Sequence, residues 1–235
     1  MRKTKDDLLE ASSKAALDLI GNCIPIVGFV NDVYAHLEQI QAKRKVERIS
    51  KFLEGVELSL SKMQDKLNED YINKEDFTDI FEKTSRHIAN ERSENKRNLF
   101  KNILLNSMIN KNSNYDKTER FFRILDLLGT EDMIILSILR SPSEYNRKNG
   151  MIIKDQINNS YQWSQRKVYA IEILCQLLQK EDDEVSESIN MLYYNGLIKD
   201  RSLEKSLITN GNPIHVLDDS LTKMGIEFIS YIENV

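Results

Sequence analysis

Seven apolar residues, Val46, Ile49, Leu53, Val56, Leu60, Met63 and Leu67, recur at alternating steps of three and four. That spacing follows one face of an α-helix through three heptads, and Phe52 widens the stripe near its start. A strand would instead turn every second residue inward. The opposite face is charged, with Arg44, Lys45, Arg48, Lys51, Glu54, Glu57 and Lys62. Two uses fit the stripe. It is the buried face of a long bundle helix, or the interaction seam of a homodimer. Gly55 weakens the helix in isolation, so either use requires tertiary partners.

The chain can afford more helices of this kind, because its 235 residues include only three prolines and eight glycines. Hydrophobic residues at 40% and charged residues at 30% describe a globular chain of one large or two small domains. The predicted fold class is mainly α: an N-terminal helical bundle with a hairpin over residues 1–112, a bridging helix over 113–129, and a second domain over 130–235.

Before the stripe, Leu8, Leu9, Ala16, Leu17 and Ile20 line a helix that stops at Gly21-Asn22. Pro25 delays resumption, and after Gly28 a second helix continues through Phe29, Val33, Leu37 and Ile40. The elbow has glycines but no following Lys-Ser/Thr, so it does not read as a nucleotide loop. Asp18, Asn22 and Pro25 interrupt the apolar run 15–30, which falls short of the roughly 20 residues that cross a bilayer. A buried turn is the expected role. A membrane hairpin at Gly21, Pro25 and Gly28 is the alternative.

After the stripe, Asn73 is a candidate cap for a helix with Glu75 and Asp76 in its first turn and Phe77, Ile80, Phe81 and Ile88 inward. Glu91, Arg92, Glu94, Lys96 and Arg97 then offer opposite charges within reach across a helix face, ahead of Leu99, Phe100, Ile103, Leu104 and Met108. Asn110 to Asn114 reads NKNSN and is the candidate linker, a hinge or a turn between the bundle and the second domain. The bridging helix would use Phe121, Phe122, Ile124, Leu125 and Leu128.

Nothing in the sequence assembles a reaction. Cys23 and Cys175 lie in apolar context, and His36, His87 and His215 have no metal-ligand spacing with them. No nucleophile–base pair or second catalytic carboxylate can be placed. The expectation is a protein that is not an enzyme, with no metal and no cofactor. The opening MRKTKDD is not a signal peptide, which predicts a cytoplasmic protein with membrane association unexpected.

Residues 169–200 hold a short apolar helix, a polar break, and a second helix ending at Asn195-Gly196 before Leu197-Ile198. From Lys167 onward the chain resembles the winged helix-turn-helix superfamily of bacterial regulators. The resemblance implies a support helix using Ile171, Ile173, Leu174, Leu177 and Leu178, and a reading helix anchored by Val185, Ile189 and Leu192. It also implies a wing over 200–211, a return strand at 214–217, and a last helix burying Leu221, Met224, Phe228, Ile229 and Ile232. Ahead of this module, Thr130 is the expected cap of a helix over 131–139, and Met151-Ile152-Ile153 a small strand. Trp163 and Tyr161 are read as closing the domain core.

In family members that bind DNA, exposed residues of the second helix meet bases and basic wing residues meet phosphate. The matching exposed positions here are Glu184, Ser186, Glu187, Ser188, Asn190 and Tyr194. Asn190 is the candidate base contact, and Lys199, Arg201 and Lys205 the candidate phosphate contacts. Acids outnumber these cations. Residues 1–110 hold 18 basic and 18 acidic side chains, and residues 111–235 hold 15 and 19, so the whole charge of −4 lies in the half that contains the candidate reading module.

The glycine–proline elbow, the FLEGVELSLSKM helix and the ERSENKRNLFKNILLNSM segment resemble uncharacterised helical proteins of bacterial mobile elements and phage defence. The expected function is therefore a regulatory or protein-interaction module in bacterial antiviral defence, with a protein partner. Two alternatives stand beside it: a DNA-binding transcriptional regulator, and a membrane-disrupting effector using the N-terminal hairpin.

Overall fold

The computed structural model describes residues 43–63, 66–72, 75–153, 166–201, 203, 206–209 and 212–233. The hairpin at Gly21, Pro25 and Gly28, the cap at Asn73, the Tyr161/Trp163 pair and Lys205 lie outside them. The protein is mainly helical and divides into two compact units. The first runs to Asp126 and includes the chain end from Ser230, and the second spans Leu127–Ile229.

In the first unit the stripe forms α1, Lys43–Met63. Ile49, Leu53, Val56, Leu60 and Met63 are all buried, together with Phe52. They pack against α3 (Glu75–Asn90) and α4 (Glu94–Ile109), while the short α2 (Glu69–Ile72) contacts the same two helices. These stripe residues are therefore covered within the chain. Leu67 falls beyond the helix and is half-buried.

Gly55 stands midway along α1, where an added Cβ meets only the flexible Lys101 side chain at 3.3 Å. Gly55→Ala should therefore stabilise the protein by roughly 0.5 kcal/mol, since helix propensity rises by up to about 1 kcal/mol and the lysine must shift slightly. A midpoint in urea unfolding lower than that of the parent protein would refute this.

The charged segment before α4 works as a cap and not as a ladder of pairs across a helix face. Residues 91–93 are non-helical, the Ser93 hydroxyl accepts the Lys96 N–H at 3.3 Å, and the Glu91 carboxylate accepts the Ser93 N–H at 2.7 Å. Arg97 donates to the carbonyls of Glu91 and Arg92, at 3.0 and 2.8 Å. Unpaired N–H groups at a helix start attract such acceptors, which outweigh weak surface ion pairs. Within α4 the residues Phe100, Ile103, Leu104, Leu105 and Met108 are buried on several sides, so this helix is central. Asn102 and Asn106 satisfy carbonyls that a helix end leaves unpaired, donating to Ile232 O at 2.8 Å and Tyr231 O at 2.9 Å.

The NKNSN segment belongs wholly to the first unit and forms a turn there. Asn110 accepts the Asn112 N–H at 2.9 Å through its side chain, Asn114 accepts the Lys117 N–H at 2.9 Å, and the Ser113 and Tyr231 hydroxyls share a 2.8 Å hydrogen bond. Asn114 thereby starts α5, Tyr115–Leu127, whose Phe121, Phe122, Ile124 and Leu125 are buried.

The second unit begins with α6, Thr130–Arg140. Its cap position is Gly129 and not Thr130, and the buried Asp132 carboxylate reaches back to accept the Gly129 N–H at 2.7 Å. After α7 (Pro142–Lys148) the expected strand at 151–153 is a turn around Asn146. That buried amide donates to Ile153 O at 2.7 Å and accepts the Ile153 N–H at 2.9 Å, while Met151 takes a left-handed φ of 58°.

Next come β1 (Arg166–Tyr169), α8 (Ala170–Leu178) and α9 (Asp182–Tyr194), then β2 (Ser206–Thr209), antiparallel to β1 with Val168 opposite Leu207. Ile173, Leu174 and Leu177 of α8 are buried, as are Val185, Ile189 and Leu192 of α9. Leu197 and Ile198 are buried too, and Ile198 forms an isolated bridge with Leu221. The expected return strand at 214–217 is a 3-10 helix, Pro213–Leu217. Pro213 presets the helical φ, and the Asn212 side chain accepts the Ile214 N–H at 3.0 Å, which favours a turn over a strand. The last helix, α10, spans Lys223–Ile232, with Phe228, Ile229 and Ile232 buried and Met224 half-buried.

Candidate functional site

Burial of Val185, Ile189 and Leu192 fixes which side of α9 faces outward. Asp183, Glu187, Met191 and Tyr194 are exposed, and Asn190 is half-buried beside them. Steps of four and three place these residues along one ridge. Tyr194 is 68% exposed and its ring meets that of Tyr193 edge-on at 5.8 Å. Ser188, an expected contact residue, is buried instead.

The candidate phosphate and base contacts engage one another. Arg201 Nε donates to Asn190 Oδ1 at 3.0 Å, and its guanidinium lies 5.2 Å from the Tyr194 ring centre. Lys199 Nζ lies 2.6 Å from Asp219 Oδ1. A bidentate adenine contact uses both the oxygen and the nitrogen of an asparagine amide, and here the oxygen is already bonded. The structure thus unites Asn190, Arg201 and Tyr194 in one cluster and gives Lys199 a separate acidic partner.

At the other end of the ridge, Lys180 bonds Glu131 at 2.8 Å and Glu184 at 2.9 Å. Those bonds, Glu131 first, hold its ammonium above the ordinary lysine range. Asp182, Asp183 and Glu187 remain exposed on the same helix.

No family model, curated protein or solved structure matches this chain.

Among the described residues, Cys175, His87 and His215 each have structural surroundings. Burial first, then the nearby Asp182 and Glu181, push the Cys175 thiol up, away from the thiolate that nucleophilic chemistry needs. His215 Nδ1 lies 2.8 Å from Asp218, and the His87 ring stacks on Phe100 at 5.0 Å. Among the described residues no three metal-ligating side chains converge, and no helix is long and apolar enough to cross a membrane.

Sequence reasoning passed over a groove in the first unit. Lys83, Arg86, His87 and Asn90 of α3 face Glu119, Phe122, Arg123 and Asp126 of α5 across a space of about 410 Å³. Glu119 bonds Lys83 at 2.6 Å and Arg123 at 2.7 Å. Lys83 also donates to the Tyr115 hydroxyl. These bonds raise the Lys83 ammonium, Glu119 contributing most, and Lys83 in turn holds the Glu119 carboxyl below its usual range. Helical spacing within each segment is visible in the sequence, but no local signal says that these two edges meet.

Proposed function

We propose that this chain is a non-enzymatic protein-interaction module, with a winged-helix-like second unit that presents α9 to a protein partner. The helix pair α8–α9 between two strands supports the winged-helix reading, as does the antiparallel pairing of those strands; the short α7 between α6 and β1 stands outside that pattern. The Arg201–Asn190–Tyr194 cluster carries the choice of partner. In it the cation and amide suited to DNA are bonded to each other beneath an exposed aromatic ring, on a helix otherwise acidic. Tyr, Met and Arg are the residue types enriched at protein interfaces, and Tyr and Arg dominate their energetic centres. A role in bacterial antiviral defence remains part of the proposal on the strength of the N-terminal resemblance alone.

The test has two arms. In the first, a photo-crosslinking amino acid at Met191 is expected to capture one protein from the native cell. Tyr194→Ala should weaken binding of that purified partner by about 2 kcal/mol, roughly 30-fold. In the second, the intact protein is titrated with duplex DNA at low salt. Saturable binding whose salt slope falls by about two when Lys199 and Arg201 become alanine would replace this reading with a DNA-binding regulator.

A further inference from the structure

We propose that the groove between α3 and α5 binds a small oxyanion carried on a flat apolar body, an aryl phosphate being the simplest probe. This goes beyond the docking role of α9 and concerns the first unit alone. The charge balance of the groove comes first. A single carboxylate, Glu119, lies between Lys83 at 2.6 Å and Arg123 at 2.7 Å, so the three together carry one net positive charge. Arg86 adds a second cation, and its partner Glu82 does not line the space. Asp126 is the remaining acid, at the other end, with His87 Nδ1 3.5 Å away.

Guanidinium groups have five donors, and the Arg86 and Arg123 side chains are 73% and 72% exposed, so neither is saturated by its carboxylate. Donors for an oxyanion therefore stand on both walls. Between them, Phe122 lies at the floor with 3% of its surface exposed, and its ring stacks on Phe100 at 5.7 Å with planes 10° apart. His87 stacks on Phe100 as well, with planes 21° apart, so an imidazole and a phenyl ring are held by one buried support. The space of about 410 Å³ falls in the range of small-molecule sites, and a bare phosphate fills only a small part of it. The rest suits a flat body against the His87 ring, whose side chain is 38% exposed.

Glu119 supplies the discriminating test, because it competes with a ligand for the donors of Lys83 and Arg123. Isothermal titration of the full chain in phosphate-free, low-salt buffer would compare p-nitrophenyl phosphate, p-nitrobenzoate and inorganic phosphate. The aromatic phosphate or the aromatic carboxylate is expected to bind at one site, tenfold or more tighter than inorganic phosphate, and the tighter of the two identifies the head group. Arg123→Gln should weaken that binding at least tenfold, while Glu119→Gln should tighten it severalfold. A merely structural ion pair does not predict opposite effects on affinity. If circular dichroism shows that Arg123→Gln is unfolded, Arg86→Gln takes its place with weakening expected. No saturable binding of either aromatic probe at millimolar concentration would overturn the proposal, as would inorganic phosphate binding equally well, or affinity unchanged in the arginine and Glu119 variants.

Discussion

Gly225→Ala is expected to destabilise the second unit by about 3 kcal/mol or more, at the upper end of overpacking effects. An added Cβ would stand 2.1 Å from the carbonyl oxygen of Leu197 and 3.0 Å from its carbonyl carbon. Those are backbone atoms with no rotamer to absorb the clash. The same carbonyl accepts the Thr222 N–H at 3.0 Å, and the Thr222 hydroxyl accepts the Gly225 N–H at 2.9 Å, so the start of α10 is tied to residue 197. Helix propensity pulls the other way by only about 1 kcal/mol. Urea unfolding followed by amide exchange in α8 and α9 reads the effect, with Gly129→Ala as the control. At Gly129 the nearest atom to an added Cβ is the Asp132 carboxylate at 3.6 Å. An unfolding midpoint for Gly225→Ala equal to that of the control would disprove the close approach.

Gly225 also shows where the sequence stops being legible. Its neighbours Met224 and Ile226 continue a helical pattern, and nothing local says that the backbone of residue 197 passes against that turn. Periodicity did better. The residues from Ile49 to Met63 read as one buried face and are one, because a repeat of three and four is set by helix geometry alone. In α9, Val185, Ile189 and Leu192 were likewise readable as anchors, and their burial determines that Tyr194 and Glu187 face outward.

Short apolar runs misled for a physical reason. Ile214, Val216 and Leu217 have β-branched and aliphatic character, yet Pro213 and the Asn212 side chain select a 3-10 turn. Met151, Ile152 and Ile153 read equally well as a strand until the buried Asn146 amide claims both polar groups of Ile153. The polar NKNSN run had the composition of a linker, but Asn110 and Asn114 use their side chains to build a tight turn and start a helix. In each case one polar side chain overrode a composition signal.

The candidate site divides in the same way. Residue types suited to DNA contact were identifiable from the helix-break-helix pattern, but their mutual engagement was not. Arg201 lies 11 positions from Asn190, and the bond between them depends on how the chain folds back after Gly196. That return is made at a left-handed φ of 72°, with an added Cβ only 2.9 Å from the Met224 side chain. The α3–α5 groove required still longer-range information, because Lys83 and Glu119 are separated by 36 positions.

Within that groove's support, Phe100→Ala should cost the first unit about 3–5 kcal/mol, the usual range for deleting a buried phenyl ring. Phe100 is fully buried and stacks against both His87 and Phe122, so its loss leaves a cavity under two rings at once. Phe100→Leu, which keeps most of the volume, should cost roughly 1–1.5 kcal/mol. The difference between the two variants isolates cavity formation from the loss of aromatic stacking. Nuclear magnetic resonance adds a local reading. The His87 ring protons feel the ring current of Phe100 in the parent protein, and both substitutions should shift them toward random-coil positions. Unmoved His87 resonances in both would mean that Phe100 does not carry the stack, and the aromatic lining proposed for the groove would lose its support, whereas equal stability losses for alanine and leucine would mean that the lost stack and not the cavity sets the cost.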